Sequence, residues 1–178
     1  MRLKTIVLAL LLITLLAACN GKDTEDNNSS KDNAPKDIKE LVHDYSVGSI
    51  ENQTASITSK QLIVTDSNKD ELAYSLPEDE FFVSIAPFIN ETHPCTIHSL
   101  TGCQGELVDK DFVVYIEDTE GNVILDETMN SGANGFIDLW LPREKNYSVK
   151  ITHDGKQVES EISTFENDGT CITTMQLI

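Results

Sequence analysis

A run of short β segments, regularly spaced and separated by glycine-containing turns, constrains this chain more than any other feature. In the C-terminal half the segments are 112–117, 123–127, 135–141, 147–153, 158–164 and 171–177. Glu120-Gly121-Asn122, Ser131-Gly132, Asp154-Gly155 and Asp168-Gly169 punctuate them. None is long enough to hold a helical period, and repeated short strands with such turns favour an antiparallel sandwich. Asp154-Gly155 suits a two-residue hairpin, because both central positions can take positive φ. Upstream, residues 55–58, 61–65 and 72–76 are partly alternating, and 66–70 (Asp-Ser-Asn-Lys-Asp) makes a turn between the last two. Residues 81–88 are more apolar and read as a buried strand that ends near Pro87.

Ahead of these strands, Ile38, Leu41, Val42 and Tyr45 follow the spacing of a short amphipathic helix, with Asp37 as its N-cap. His43 lies off that stripe and is expected to face solvent. The phrase Gly135-Phe136-Ile137-Asp138-Leu139-Trp140-Leu141-Pro142 looks like the middle of an immunoglobulin-like sandwich, with Trp140 in the core. The expected fold is therefore mainly β: an antiparallel immunoglobulin-like β-sandwich with a short N-terminal helix and a small β-hairpin region.

The N-terminus places the chain outside the cytoplasm. Arg2 and Lys4 precede an apolar stretch, 6–16, interrupted only by Thr14, and Leu16-Ala17-Ala18-Cys19 closes it. So short a run fits a signal peptide better than a membrane span. Small residues directly before a cysteine resemble a bacterial lipobox, with cleavage before Cys19 and a lipid on its thiol. Residues 20–36, rich in Asn, Asp, Ser and Lys, cannot bury enough apolar surface to offset their ordering entropy. The expected organisation is a signal peptide over 1–18, a flexible tether over 19–36, helix plus hairpin over 37–78, and a β-sandwich over 79–178. Localisation follows: an extracytoplasmic lipoprotein held at a bacterial membrane, facing the periplasm or the cell surface.

The 178 residues carry a formal net charge of −17. Loss of residues 1–18 removes Arg2 and Lys4 and makes the chain more acidic still. Such a surface repels phosphate backbones, which argues against nucleic acid as a partner. No nucleophile elbow, P-loop, His-Glu-x-x-His helix or dinucleotide fingerprint is present, so an enzyme is not expected.

The chemistry concentrates in residues 93–106, His-Pro-Cys-Thr-Ile-His-Ser-Leu-Thr-Gly-Cys-Gln-Gly-Glu. They hold His93, Cys95, His98 and Cys103. With Cys19 assigned to lipid, the third thiol of the mature domain is Cys171. An odd thiol count in an exported protein demands an explanation. One reading is a Cys95–Cys103 disulfide that staples a surface interaction domain and leaves Cys171 unpaired. A second is a metal site that uses all three sulfurs, provided the last strand brings Cys171 to the loop. Thiolates favour Cu(I) or zinc; three cysteines fall short of the four an iron–sulfur cluster usually takes, whereas a histidine added to them would complete a tetrahedral zinc site. A thiol–disulfide relay is a third reading, but it lacks a Cys-x-x-Cys pair.

Residues 82–95 (Phe-Val-Ser-Ile-Ala-Pro-Phe-Ile-Asn-Glu-Thr-His-Pro-Cys), continued by His98-Ser99-Leu100 and Cys103-Gln104-Gly105-Glu106-Leu107, are similar to the signature of the CueP copper-binding proteins. So are Gly135-Phe136 with Trp140-Leu141-Pro142-Arg143, and Thr170-Cys171-Ile172-Thr173-Thr174-Met175-Gln176-Leu177. The resemblance runs from about residue 54 to the C-terminus, in order. It implies a protein that sequesters copper outside the cytoplasmic membrane and hands it to other exported proteins, such as a cuproenzyme acceptor. Its three cysteines correspond to Cys95, Cys103 and Cys171, which become the expected Cu(I) ligands. His93 and His98 match as well, as direct ligands, as supports of the sulfurs, or as capture points for Cu(II). Soluble members of the family lack an anchor, so the lipobox sets this chain apart.

Overall fold

The computed structural model describes residues 37–178; the signal-peptide, tether and Cys19 readings fall outside the described residues. The described part begins with α1 (Ile38–Ser46), capped by the Asp37 carboxylate, which accepts from the Lys39 and Glu40 N–H groups. Val42 and Tyr45 are buried and His43 is exposed, as the apolar stripe requires.

Eleven strands follow: β1 (Thr54–Ile57), β2 (Gln61–Thr65), β3 (Glu71–Ser75), β4 (Glu80–Ile85), β5 (His98–Ser99), β6 (Asp111–Asp118), β7 (Val123–Asn130), β8 (Ile137–Pro142), β9 (Asn146–His153), β10 (Lys156–Ser163) and β11 (Cys171–Ile172). They form three sheets, in the orders β3-β2-β1-β5, β10-β9-β6-β7 and β11-β4-β8. The mainly β, sandwich-type fold is the one expected. Asp154 and Gly155, both at positive φ (48° and 77°), turn β9 into β10 as the hairpin reading required.

The three-stranded sheet is central because β4 is apolar on both faces. Its Phe81, Val83 and Ile85 join Ile137, Leu139 and Leu141 of β8 in one core, packed on the inward residues of β6 and β9. β6 shows the one-sided pattern of a sheet with one wet face: Phe112, Val114 and Ile116 are buried, whereas Val113 is half exposed. On the other face of β4, Phe82 packs with Val42, Tyr45, Ile57, Leu62 and Leu100 in a second core under α1 and the first sheet. Trp140 lies at the margin of this second core, edge-on to Phe82 at 5.2 Å, with the Lys39 ammonium 5.3 Å above its ring.

One pairing departs from the antiparallel pattern. β11 runs parallel to β4, with Cys171 opposite Ser84 and Ile172 opposite Ile85. Beyond it only the bridge between Phe88 and Gln176 continues the contact, so the apolar stretch 171–177 is a short strand followed by an anchored tail. Leu177 and Phe88 hold that tail through backbone hydrogen bonds.

Candidate metal centre

The segment carrying Cys95, His98 and Cys103 leaves the end of β4 and is closed at its base by Glu106. The Glu106 carboxylate accepts from the backbone N–H of Ile89 (2.5 Å) and Asn90 (3.0 Å) and from the Asn90 side chain (3.0 Å). Those bonds hold its acid group below the ordinary carboxylate pKa against the opposing pull of desolvation. The far side is fixed by a backbone contact that only glycines allow. Gly105 donates to the Asn134 carbonyl at 2.7 Å, and Gly135 sits at φ 76°, where an added Cβ would lie 2.8 Å from the Gly105 oxygen.

Between these ties, β5 docks on β1, with His98 opposite Ile57. Thr170 locks the arrangement: its hydroxyl accepts from the His98 N–H (3.0 Å) and donates to the Ile57 carbonyl (2.6 Å). The next residue, Cys171, donates its N–H to the Thr96 carbonyl at 3.2 Å. Three distant stretches of chain thus meet at one point.

Cys95, His98, Cys103 and Cys171 each present a ligand atom there, all within 4.8 Å of one another. Cys95 and Cys171 are joined by a disulfide, with Cα atoms 5.6 Å apart, and Cys103 is the free thiol, its sulfur 3.6 Å from that of Cys95. This corrects the Cys95–Cys103 staple with an unpaired Cys171. The parallel docking of β11 brings the Cys171 backbone into bridging range, and Cys103 is the sulfur left over.

The two histidines part company. His98 is fully buried, with Nδ1 3.5 Å from the Cys171 sulfur and the ring 4.5 Å from that of Phe136. Burial, reinforced by the nearby His93, pushes its pKa down to about 4. The imidazole is therefore neutral at neutral pH and keeps a lone pair to give to a metal. Its Nε2 is buried without a hydrogen-bond partner. His93 is half-buried, stands edge-on to Phe136 at 6.3 Å, and lies outside the four-donor cluster. Cys171 is buried, Cys95 and Cys103 are half-buried, and Ala86 and Phe136 form the dry wall behind them.

Two supports of the site leave little trace in the sequence. Thr170 stands beside Cys171 with no local signal of its hydrogen bonds to His98 and Ile57. Asp138 is an acid inside the apolar run of β8, and that misfit was its one visible signal. Its carboxylate accepts from the hydroxyls of Ser84 and Ser46, both at 2.5 Å, and Asn134 donates to Ser46 at 3.1 Å. Among the described residues, no helix is long and apolar enough to cross a membrane.

Comparison with known proteins gives a consistent set. The family described as periplasmic copper-binding protein CueP matches residues 38–176. The crystal structure of S.CueP is similar at 36% identity and a TM-score of 0.77, covering 82% of this chain and 91% of that one. No curated protein matches.

Proposed function

The chain belongs to the CueP family of periplasmic copper-binding proteins, and from that premise we propose that it binds Cu(I) through the thiolates of Cys95, Cys103 and Cys171 and sequesters or relays the ion outside the cytoplasm. The observation that carries the reading is the convergence of three sulfurs and one neutral imidazole within 4.8 Å, drawn from segments far apart in the chain. Sulfur donors of this softness select Cu(I) over harder ions. Cu(I) accepts two or three of them without a fixed geometry, which suits cargo that must also leave.

A sulfur held in a disulfide is not a thiolate ligand. Loading through all three therefore requires an external dithiol to reduce the Cys95–Cys171 bond, itself becoming a disulfide and leaving two thiols, and each thiol that then binds releases its proton. The burial of Cys171 and His98 favours retention of the ion, while half-exposed Cys95 and Cys103 form the side from which an acceptor would take it. A lipid on Cys19 would keep the domain near the membrane, at the end of the 19–36 tether, and an exported cuproenzyme is the acceptor that fits a relay.

Zinc is the second reading, and His98 favours it: with the three sulfurs it makes the Cys3His set of a tetrahedral structural site. Titration of the reduced protein with Cu(I) against a competing chelator, repeated with Zn(II), separates the two. We expect tight Cu(I) binding that collapses in the Cys95→Ser, Cys103→Ser, Cys171→Ser triple variant. Unchanged Cu(I) affinity in that variant refutes the proposal, and a preference for Zn(II) that depends on His98 favours the second reading. Recovery of a Cys19→Ala variant from the soluble rather than the membrane fraction tests the anchor.

A further inference from the structure

Behind the sulfur cluster, one register row of the central sheet reads Cys171 on β11, Ser84 on β4 and Asp138 on β8. Residues paired across a ladder put their side chains on the same face, so the three share one face, and Cys171 there packs with Ala86 and Phe136. Ser84 is completely buried and donates its hydroxyl to Asp138, while Ser46 at the end of α1 donates to the other carboxylate oxygen. Among the described residues, no lysine or arginine pairs with Asp138. The titratable group whose charge reaches it is His43 of α1; β4 offers Ser84, β11 offers Cys171, and the turn before β8 offers Asn134. Burial raises its pKa against the lowering effect of the two hydroxyls. Its two hydroxyl partners tie the end of α1 to β4, but they leave the acid without a cation, one strand away from Cys171's neighbour.

We propose that Asp138 is the proton acceptor of the sulfur site: when the three thiols become thiolates around copper, its carboxylate takes up one of the protons they release. The proposal rests on the copper reading above. Three neutral thiols plus Cu(I) give a centre with two net negative charges and three free protons. A carboxylate on the same sheet face opposes that charge, and a carboxylic acid does not. Two inter-strand spacings put Asp138 about 10 Å from Cys171. At an effective dielectric constant of about 20, discounted for the acid's partial exposure, the new charge raises the Asp138 pKa by about one unit. Protonated Asp138 still fits its cage, because serine hydroxyls accept as well as donate.

The direct test is a carboxyl-carbon NMR titration of Asp138 in the reduced wild-type protein, with and without one equivalent of Cu(I). We expect a pKa about one unit higher in the loaded form; the same pKa in both forms overturns the proposal. Asp138→Asn supplies the functional arm. Its Cu(I) affinity should exceed wild type by up to about tenfold at pH values above both Asp138 pKa values, and match it at pH values below both. A ratio that does not change with pH overturns the proton-acceptor role. A wild-type protein that takes up no Cu(I) refutes the copper reading itself, whereas uptake without movement of the Asp138 titration refutes only the role of Asp138. The wild-type titration decides the matter even where Asp138→Asn does not fold.

Discussion

The Cys95–Cys171 bond closes a loop of 76 residues, and that length makes a stability prediction with definite arithmetic. On the chain-entropy account, such a cross-link destabilises the unfolded state by about 4.5 kcal/mol, whereas a Cys95–Cys103 bridge spanning eight residues is worth about 2.5 kcal/mol. For a domain of about 140 ordered residues, 4.5 kcal/mol corresponds to roughly 15 °C in Tm. The quantity to measure is the difference between oxidised and reduced forms of each variant, by urea or thermal unfolding in the presence of a metal chelator. That difference cancels the cost of placing a serine where a sulfur packed. Cys103→Ser should keep the full increment, because Cys103 is not in the bond. The Cys95→Ser, Cys103→Ser double variant should lose all of it, because it leaves Cys171 without a sulfur to pair with among the clustered donors. Cys171→Ser should keep about 2.5 kcal/mol, because the Cys95 and Cys103 sulfurs already lie 3.6 Å apart and can close the short loop instead. The reasoning is refuted if Cys103→Ser loses as much as the Cys95→Ser, Cys103→Ser double variant, or if Cys171→Ser leaves the increment whole. Either result would make the short bridge the native one.

Gly135→Ala should cost about 2–4 kcal/mol in urea unfolding and weaken Cu(I) binding at least about tenfold, because the new methyl group meets the Gly105 carbonyl and a positive φ, displacing the Cys103 side of the site. A variant with wild-type stability and affinity would show that this close approach holds nothing in place. Because His98 has a folded pKa of about 4 against an ordinary 6.5, the unfolded chain takes up its proton first as pH falls. Its contribution is fully present above about pH 6.5 and is lost between there and pH 4, amounting to about 3 kcal/mol in the metal-free protein. His98→Gln should flatten the stability profile in that window, and an unchanged slope would contradict the burial of a neutral imidazole.

The strands of the sandwich were readable because their signal is local. Alternation in β6, the two-sided apolar character of β4 and the Asp154-Gly155 turn each follow from a few neighbouring residues. So did α1, whose Asp37 cap and apolar stripe lie within one short window. The sulfur pairing was not readable, because it depends on where β11 inserts. A strand of two residues pairing in parallel with β4 leaves no periodic trace in the chain. The same applies to the histidines. His93 and His98 lie in a segment without periodicity, and only the docking of β5 on β1 turns one inward and leaves the other at the rim. That the candidate ligands are Cys95, Cys103 and Cys171 came from a resemblance across separated motifs, and the structure brings those three sulfurs together.

The parallel pairing of β11 with β4 makes the sulfur cluster a gauge of the whole sandwich. No hairpin can make a parallel pair, so the whole stretch from β6 to β10 forms the connection that brings Cys171 back to Cys95. Donor convergence and global folding are then one equilibrium, and any ion that prefers the converged donors stabilises the domain in proportion to the logarithm of its free concentration. Substitutions remote from the sulfurs that loosen the β6–β9 core should therefore register as lost metal affinity. Conversely, a rise in copper should rescue weakened variants of this domain, coupling the lifetime of the folded protein to the abundance of its cargo.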